Sequence, residues 1–197
     1  MTLTFAPSKI KVCKMRDCSN QLTFVFDLDN TLVETDRANN LSYMDAINTV
    51  LHASISWDSN SRFTRNRLHQ LFPNLSEELY KSIIKTKNER FYAHMSDTTL
   101  NTNLVKVLGV LYSTGCRTIL LTNCHKERAL SVCKHYGISQ LFSDKYFAED
   151  KVGSKYEVLI RNGFDMSSII LFENETEGAQ EAMANGIAER NIIGIKF

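Results

Sequence analysis

The apolar run Leu22-Thr23-Phe24-Val25-Phe26 stops abruptly at Asp27. A short run bounded in this way predicts a buried strand over Leu22–Phe26. From about Asp36 to Asn103 the period changes. Leu41, Met44, Ala46, Ile47, Val50 and Leu51 recur at roughly helical spacing, as do Leu68, Leu71, Phe72, Leu75 and Leu79. Pro73 breaks one of these helices, and Ser76 before Glu77-Glu78 has the form of an N-cap with acids in the first turn. Beyond it the chain alternates. A helix is predicted over Asn101–Ser113, a strand over Thr118–Leu121, and a helix over Lys126–Tyr136 closed by Gly137. A strand over Lys145–Ala148, a helix over Tyr156–Asn162, an apolar run Ile169–Phe172, a helix over Thr176–Ala184 and a strand over Ile192–Lys196 complete the pattern. Such alternation predicts an α/β fold, a Rossmann-like doubly wound parallel sheet with helices on both faces. The expected division is an arm at 1–21, a core at 22–35 and 104–197, and a small helical insertion at 36–103.

Ligands of parallel sheets bind outside the carboxyl ends of the strands, so the residues there carry the chemistry. At the first strand they are Asp27 and Asp29. Side chains two positions apart on an extended segment share a face, and two carboxylates at one spot repel unless a cation or a reaction needs both. A metal-assisted phosphoryl-transfer site would use the pair. At the next strand end stand Thr122 and Asn123, where a hydroxyl and backbone amides can donate to a phosphate oxygen.

Composition narrows the partners. The chain has 197 residues, 43% apolar and 23% charged, with a net charge of +1. One domain with a modest insertion fits that length, and nothing in the charge points to nucleic acid. No apolar run approaches the roughly 20 residues of a membrane span. Cys13, Cys18, Cys116, Cys124 and Cys133 are an odd set without metal-finger spacing. Free thiols in a reducing compartment, hence a cytoplasmic protein, are the expectation.

Asp27-Leu28-Asp29-Asn30-Thr31 after a hydrophobic strand resembles the first motif of the haloacid dehalogenase superfamily, Asp-x-Asp-x-Thr. Leu121-Thr122-Asn123 resembles its second. Lys151 and Lys155 compete for the third, a lysine near a helix start, and the local text Ser154-Lys155-Tyr156-Glu157 favours Lys155. Phe172-Glu173-Asn174-Glu175-Thr176-Glu177-Gly178 resembles the fourth motif of members with a helical cap, Glu-Asp-Ser-x-x-Gly. Asn174 departs from it, standing where an aspartate usually completes the metal site.

The resemblance implies a phosphatase. Asp27 would be the nucleophile that forms an aspartyl-phosphate, and Asp29 the acid and then the base. Thr122, Asn123 and Lys155 or Lys151 would hold the phosphoryl group. Mg²⁺ would be bound by Asp27, Asp29, Glu173 and Asn174, with Glu173 supplying the charge that Asn174 lacks. The insertion at 36–103 would be the cap that selects a small phosphorylated substrate, such as a sugar phosphate or a nucleotide. The excess of Arg62, Arg65, Arg67, Lys81, Lys85, Lys87 and Arg90 over Glu77, Glu78 and Glu89 fits a solvated helical surface first, and attraction of anionic substrates second. A phosphomutase using the same residues, or a weakly catalytic binding module favoured by Asn174, are the alternatives. A monomer or homodimer is expected. The five histidines show no ligand spacing, although His125 follows Thr122-Asn123 closely.

Overall fold

The computed structural model describes residues 22–57 and 61–197; the predicted arm at 1–21, with Cys13 and Cys18, lies outside them. Five strands form one parallel sheet: β1 (Thr23–Phe26), β4 (Arg117–Leu121), β5 (Asp144–Tyr146), β6 (Ile169–Glu173) and β7 (Ile192–Gly194). Their order is β5-β4-β1-β6-β7. The first strand in sequence is therefore the middle one, with Phe26 in register with Leu120 on one side and Phe172 on the other. Near-continuous apolar runs are what a sheet covered on both faces demands. The strands predicted at 145–148 and 192–196 begin within a residue of β5 and β7 and run two residues beyond their observed ends.

Each face of the sheet has its own core. On one, Phe26, Leu120 and Phe172 pack against Leu104 and Leu108 of α4 (Thr102–Ser113) and Ala129 and Val132 of α5 (Lys126–His135). Phe26 and Phe172 stack with ring centroids 4.4 Å apart. On the other face, Val25, Ile119 and Leu171 meet Val158 and Leu159 of α6 (Glu157–Arg161) and Ala182 of α7 (Thr176–Ala184). Layers of this kind hold the strand ends rigidly in one row.

Between β1 and α4 the chain builds a helical unit from α1 (Asp36–Leu51), α2 (Arg65–Leu71) and α3 (Glu77–Phe91). Tyr43, Ala46, Ile47, Phe63, Leu68 and Ile83 form its separate apolar cluster. Ser76 caps α3 as the sequence suggests, its hydroxyl accepting from Leu79 N at 3.3 Å. Leu71 and Leu79, placed on the helical stripe by their spacing, are instead exposed. Where the chain leaves and re-enters the core, β2 (Val33–Glu34) pairs antiparallel with β3 (Thr99–Leu100). That ribbon has no counterpart in the sequence reading, because two-residue strands carry no periodicity.

Candidate active site

The site is assembled from the carboxyl ends of β1, β4 and β6. Asp27 follows Phe26 directly, and its backbone N–H still donates to Phe172 O (3.1 Å), so its side chain cannot drift from the sheet edge. The chain then turns sharply. Leu28 O accepts from Leu32 N and Val33 N, both at 3.0 Å, and Asn30 takes the left-handed conformation (φ 56°). Asparagine tolerates that region because its short polar side chain bonds locally. Here Asn30 Oδ1 accepts from Thr35 N (3.1 Å) and its Nδ2 donates to Asp36 Oδ1 (2.7 Å). The turn returns Asp29 to the mouth of the site. Asp27, Asp29, Thr122, Asn123 and Lys155 line one polar cavity of about 140 Å³ together with Arg62, Arg128 and Glu175.

Lys155, and not Lys151, reaches the first carboxylate. Its buried Nζ donates to Asp27 Oδ1 (3.0 Å) and to Glu173 Oε2 (2.7 Å). Lys151 is exposed, on the far side of the turn at Gly153. Glu173 is held from four sides. Oε2 also accepts from Tyr156 Oη (3.0 Å), and Oε1 accepts from Asn174 N (3.0 Å) and Glu175 N (3.2 Å). An ionised carboxylate has about four acceptor sites, and four donors occupy them. Glu173, which the sequence reading gave to the cation, is thus surrounded by donors, Lys155 among them. Gly178 makes room for this: a Cβ there would stand 2.7 Å from the Glu173 carboxyl carbon.

Asp29 is clamped. Its Oδ2 accepts from Arg128 Nη2 (2.6 Å) and its Oδ1 from Thr35 Oγ1 (2.7 Å). Arg128, on α5, also donates through Nε to Cys124 Sγ (2.8 Å) and lies over the Phe91 ring, 4.8 Å from its centroid. Arg62 contributes a second guanidinium, paired with Asp36 at 2.7 Å. Neither pairing was anticipated, since both are made across long sequence separations. The one local signal was a pair of cations, Lys126 and Arg128, in the first turn of a helix, where cations are disfavoured. Thr122 is buried, its hydroxyl accepting from Cys124 N at 3.1 Å. Asn123 is exposed at the cavity wall. His125 lies outside the small cavity, paired with Glu149 at 3.0 Å.

The two aspartates are driven apart electrostatically. Burial pushes the Asp27 carboxyl up to about 7, with Glu173 and Asp29 adding to the rise and Lys155 opposing it. Asp29 is also buried, but Arg128, Arg62 and the Thr35 hydroxyl outweigh that and hold it below the ordinary carboxylate range. Burial and the nearby Arg128 together push Lys87 down to about 7. The Asp27 shift has a measurable consequence in protein stripped of metal with EDTA. Folded Asp27 keeps its proton to about 7, whereas an unfolded aspartate releases it near 3.8. The folded state therefore binds more protons between those values, and stability falls as pH rises through the window. We expect the melting temperature to drop from pH 5 to pH 8 and the drop to be shallower in Asp27→Asn. Asp29 works in the opposite sense, its contribution being lost only below its ordinary value of 3.8.

Residues 24–190 match the family profile of the haloacid dehalogenase-like hydrolases, and the chain belongs to that family. Solved structures share its fold at low identity. CbbY from Rhodobacter sphaeroides, in complex with phosphate, superposes with a TM-score of 0.73 at 17% identity over 90% of this chain and 87% of that one. A predicted phosphoglycolate phosphatase from Haemophilus somnus gives 0.72 at 18% over 90% and 86%. A haloacid dehalogenase-like hydrolase from Streptococcus pneumoniae gives 0.73 at 16% over 91% and 86%. No curated protein sequence matches the chain.

Proposed function

We propose that the protein is a Mg²⁺-dependent phosphatase that hydrolyses a small phosphorylated metabolite, a sugar phosphate or nucleotide, through an aspartyl-phosphate on Asp27. The observation that carries this reading is the placement of Asp27 against Lys155 in a polar cavity with Asp29 and Thr122. Asp27 attacks phosphorus through the oxygen that does not bond Lys155, and the bond to the leaving oxygen breaks. Lys155, with the Thr122 hydroxyl, steadies the transferring group; most of the rate in phosphoryl transfer comes from positioning and charge stabilisation. Asp29, ionised in the resting site, would take the proton that Asp27 gives up on becoming the nucleophile, pass it to the leaving oxygen, and then take one from the water that cleaves the acyl phosphate.

A hard cation suits the remaining donors. Mg²⁺ takes oxygen ligands, commonly one or two carboxylates, with water and phosphate completing the shell. Asp27, the Asp29 carbonyl and Asn174 Oδ1 would hold it, and Glu173, already saturated, would not. When bound, the ion offsets charge between the anionic nucleophile and the phosphate. With a single carboxylate in the set, the site is a weak one. Among the described residues no group of three His, Cys, Asp or Glu side chains converges to hold a metal.

The helical unit at 36–103 serves as the cap. A second cleft of about 470 Å³ lies between Asn88, Glu89 and Tyr92 of that unit and His125, Glu127, Arg128 and Glu149 of the core. It adjoins the small cavity through Arg128, and there the alcohol portion of the substrate would sit. The described cysteines Cys116, Cys124 and Cys133 are free, in keeping with a cytoplasmic protein. No helix among the described residues is long and apolar enough to cross a membrane.

The test is phosphate release from a broad panel of phosphomonoesters, with Mg²⁺ and with EDTA. Metal-dependent release is expected, and release from no compound would overturn the reading. The clamp on Asp29 gives a second expected result. An opposite charge in contact lowers a carboxylate pKa by about 1–3 units, so Arg128→Gln should move the pH limb governed by Asp29 upward by that amount. The pH profile of kcat/KM reads it, and an unmoved limb would detach Arg128 from the proton transfer.

A further inference from the structure

Lys155 and Tyr156 are consecutive, yet both side chains end on one atom. Lys155 Nζ donates to Glu173 Oε2 at 2.7 Å, and Tyr156 Oη donates to the same oxygen at 3.0 Å. The lysine also lies against the tyrosine ring, its Nζ 5.4 Å from the centroid. Side chains of adjacent residues do not face each other on a helix or a strand, so the two are brought together by what they both hold. We propose that Tyr156 is a positioning residue: its hydroxyl fixes Glu173 so that the Lys155 ammonium stays shared with Asp27 and faces the transferring phosphoryl group. Its effect on rate rests on the phosphatase reading above; its effect on the lysine does not.

Tyr156 can do this because its ring is anchored. The side chain is fully buried in the apolar cluster of Val25, Ile119, Leu159, Leu171 and Ala182. Ser154 Oγ accepts from Tyr156 N (3.1 Å) and holds the backbone where it enters α6. A ring with two torsions carries its hydroxyl on a rigid lever, and a buried phenol needs an acceptor. Burial and the Glu173 charge push the phenol above its ordinary value against the pull of Lys155, so the hydroxyl keeps its proton and donates. Lysine is the opposite case, a point charge on a flexible four-carbon stem. Its ammonium has three N–H bonds to give. Asp27 Oδ1 takes one at 3.0 Å and Glu173 Oε2 another, which leaves the third for a phosphoryl oxygen.

The hydroxyl also sets how the ammonium is shared. Glu173 holds it at the shorter distance, 2.7 Å against 3.0 Å for Asp27. The hydrogen bond from Tyr156 draws off part of the negative charge on Oε2 and occupies one of its lone pairs. Without it, that oxygen would compete harder for Lys155 and pull the ammonium away from the nucleophile. The backbone amides of Asn174 and Glu175 hold only the other oxygen, Oε1, so they do not replace the phenol.

The experiment uses the full chain and Tyr156→Phe, which keeps the ring in the core and removes the hydroxyl. The NMR signal of the Lys155 ammonium in nitrogen-labelled protein, assigned by its loss in Lys155→Arg, reads the lysine directly and needs neither substrate nor metal. In wild type its hydrogens should exchange with water far more slowly than those of exposed lysines. In Tyr156→Phe that exchange, which follows local opening, should be faster by about tenfold or more. Phosphate release should fall by about tenfold in kcat, short of the ~10²-fold loss that a misplacement of roughly 1 Å costs. Glu173→Met removes the oxygen through which the phenol acts, so adding Tyr156→Phe to it should cause no further fall. A Lys155 ammonium that exchanges as fast as exposed lysines in wild type, or equally slowly in both proteins, overturns the proposal. So does a wild-type kcat in Tyr156→Phe, or a loss that adds in full to that of Glu173→Met. Phosphate release by neither protein removes the phosphatase reading alone, and the two exchange rates still judge Tyr156.

Discussion

Asp27→Asn should abolish phosphate release while leaving the protein folded. The substitution keeps the shape of the side chain and removes the nucleophilic oxygen. Loss of a nucleophile that acts as a unit with its neighbours costs at least ~10⁴-fold in kcat. Folding is not expected to suffer. Asp27 is a buried carboxyl whose charged form is disfavoured by its surroundings, and Lys155 would keep Glu173 as its partner at 2.7 Å. Above pH 7 in EDTA the variant should therefore melt no lower than wild type. Phosphate release at saturating Mg²⁺ gives the first result and a thermal melt the second. Activity within about tenfold of wild type, a barrier change of only ~1.4 kcal/mol, would sink the covalent mechanism. A collapsed melting transition would mean that Asp27 is structural.

Lys155→Met should harm both stability and rate. The ammonium sits between Asp27 and Glu173 and is almost wholly buried with them. Removing it leaves two carboxylates facing each other without a cation, and breaking a buried pair in this way costs about 3–5 kcal/mol. For a chain of this size that is roughly 6–20 °C in melting temperature. The loss should be largest near pH 8 and smaller near pH 5, where Asp27, titrating at about 7, is protonated. Loss of one preorganised donor to the transferring group costs about 10²–10³-fold in kcat. The parallel change at the other lysine separates the two candidates for the third motif. Lys151→Met removes an exposed side chain and should stay within about 0.5 kcal/mol of wild type, with unchanged turnover. The reverse pattern would move the phosphoryl clamp from Lys155 to Lys151.

Much of the site was legible because parallel sheets bring strand ends together. Apolar runs that end in Asp27, Thr122 and Glu173 mark three such ends, and in-register pairing of β1 with β4 and β6 puts them in one row. The alternation of strands and helices carried the fold, and a local cap residue, Ser76, carried one helix start. Spacing could not separate Lys151 from Lys155. The turn between them contains Gly153 with positive φ, and a left-handed residue redirects the chain in a way that residue spacing does not report.

The linear text determined which side chains stand at the strand ends, because periodicity and motif spacing are local properties of the chain. Only the tertiary structure decided how those side chains are partnered. Arg128 reaches Asp29 across 99 residues, Tyr156 and Lys155 saturate Glu173, and Asn174 closes on the Asp29 carbonyl and Thr31. Charge and hydrogen-bond satisfaction act through space over a few ångströms, and sequence separation does not report that distance.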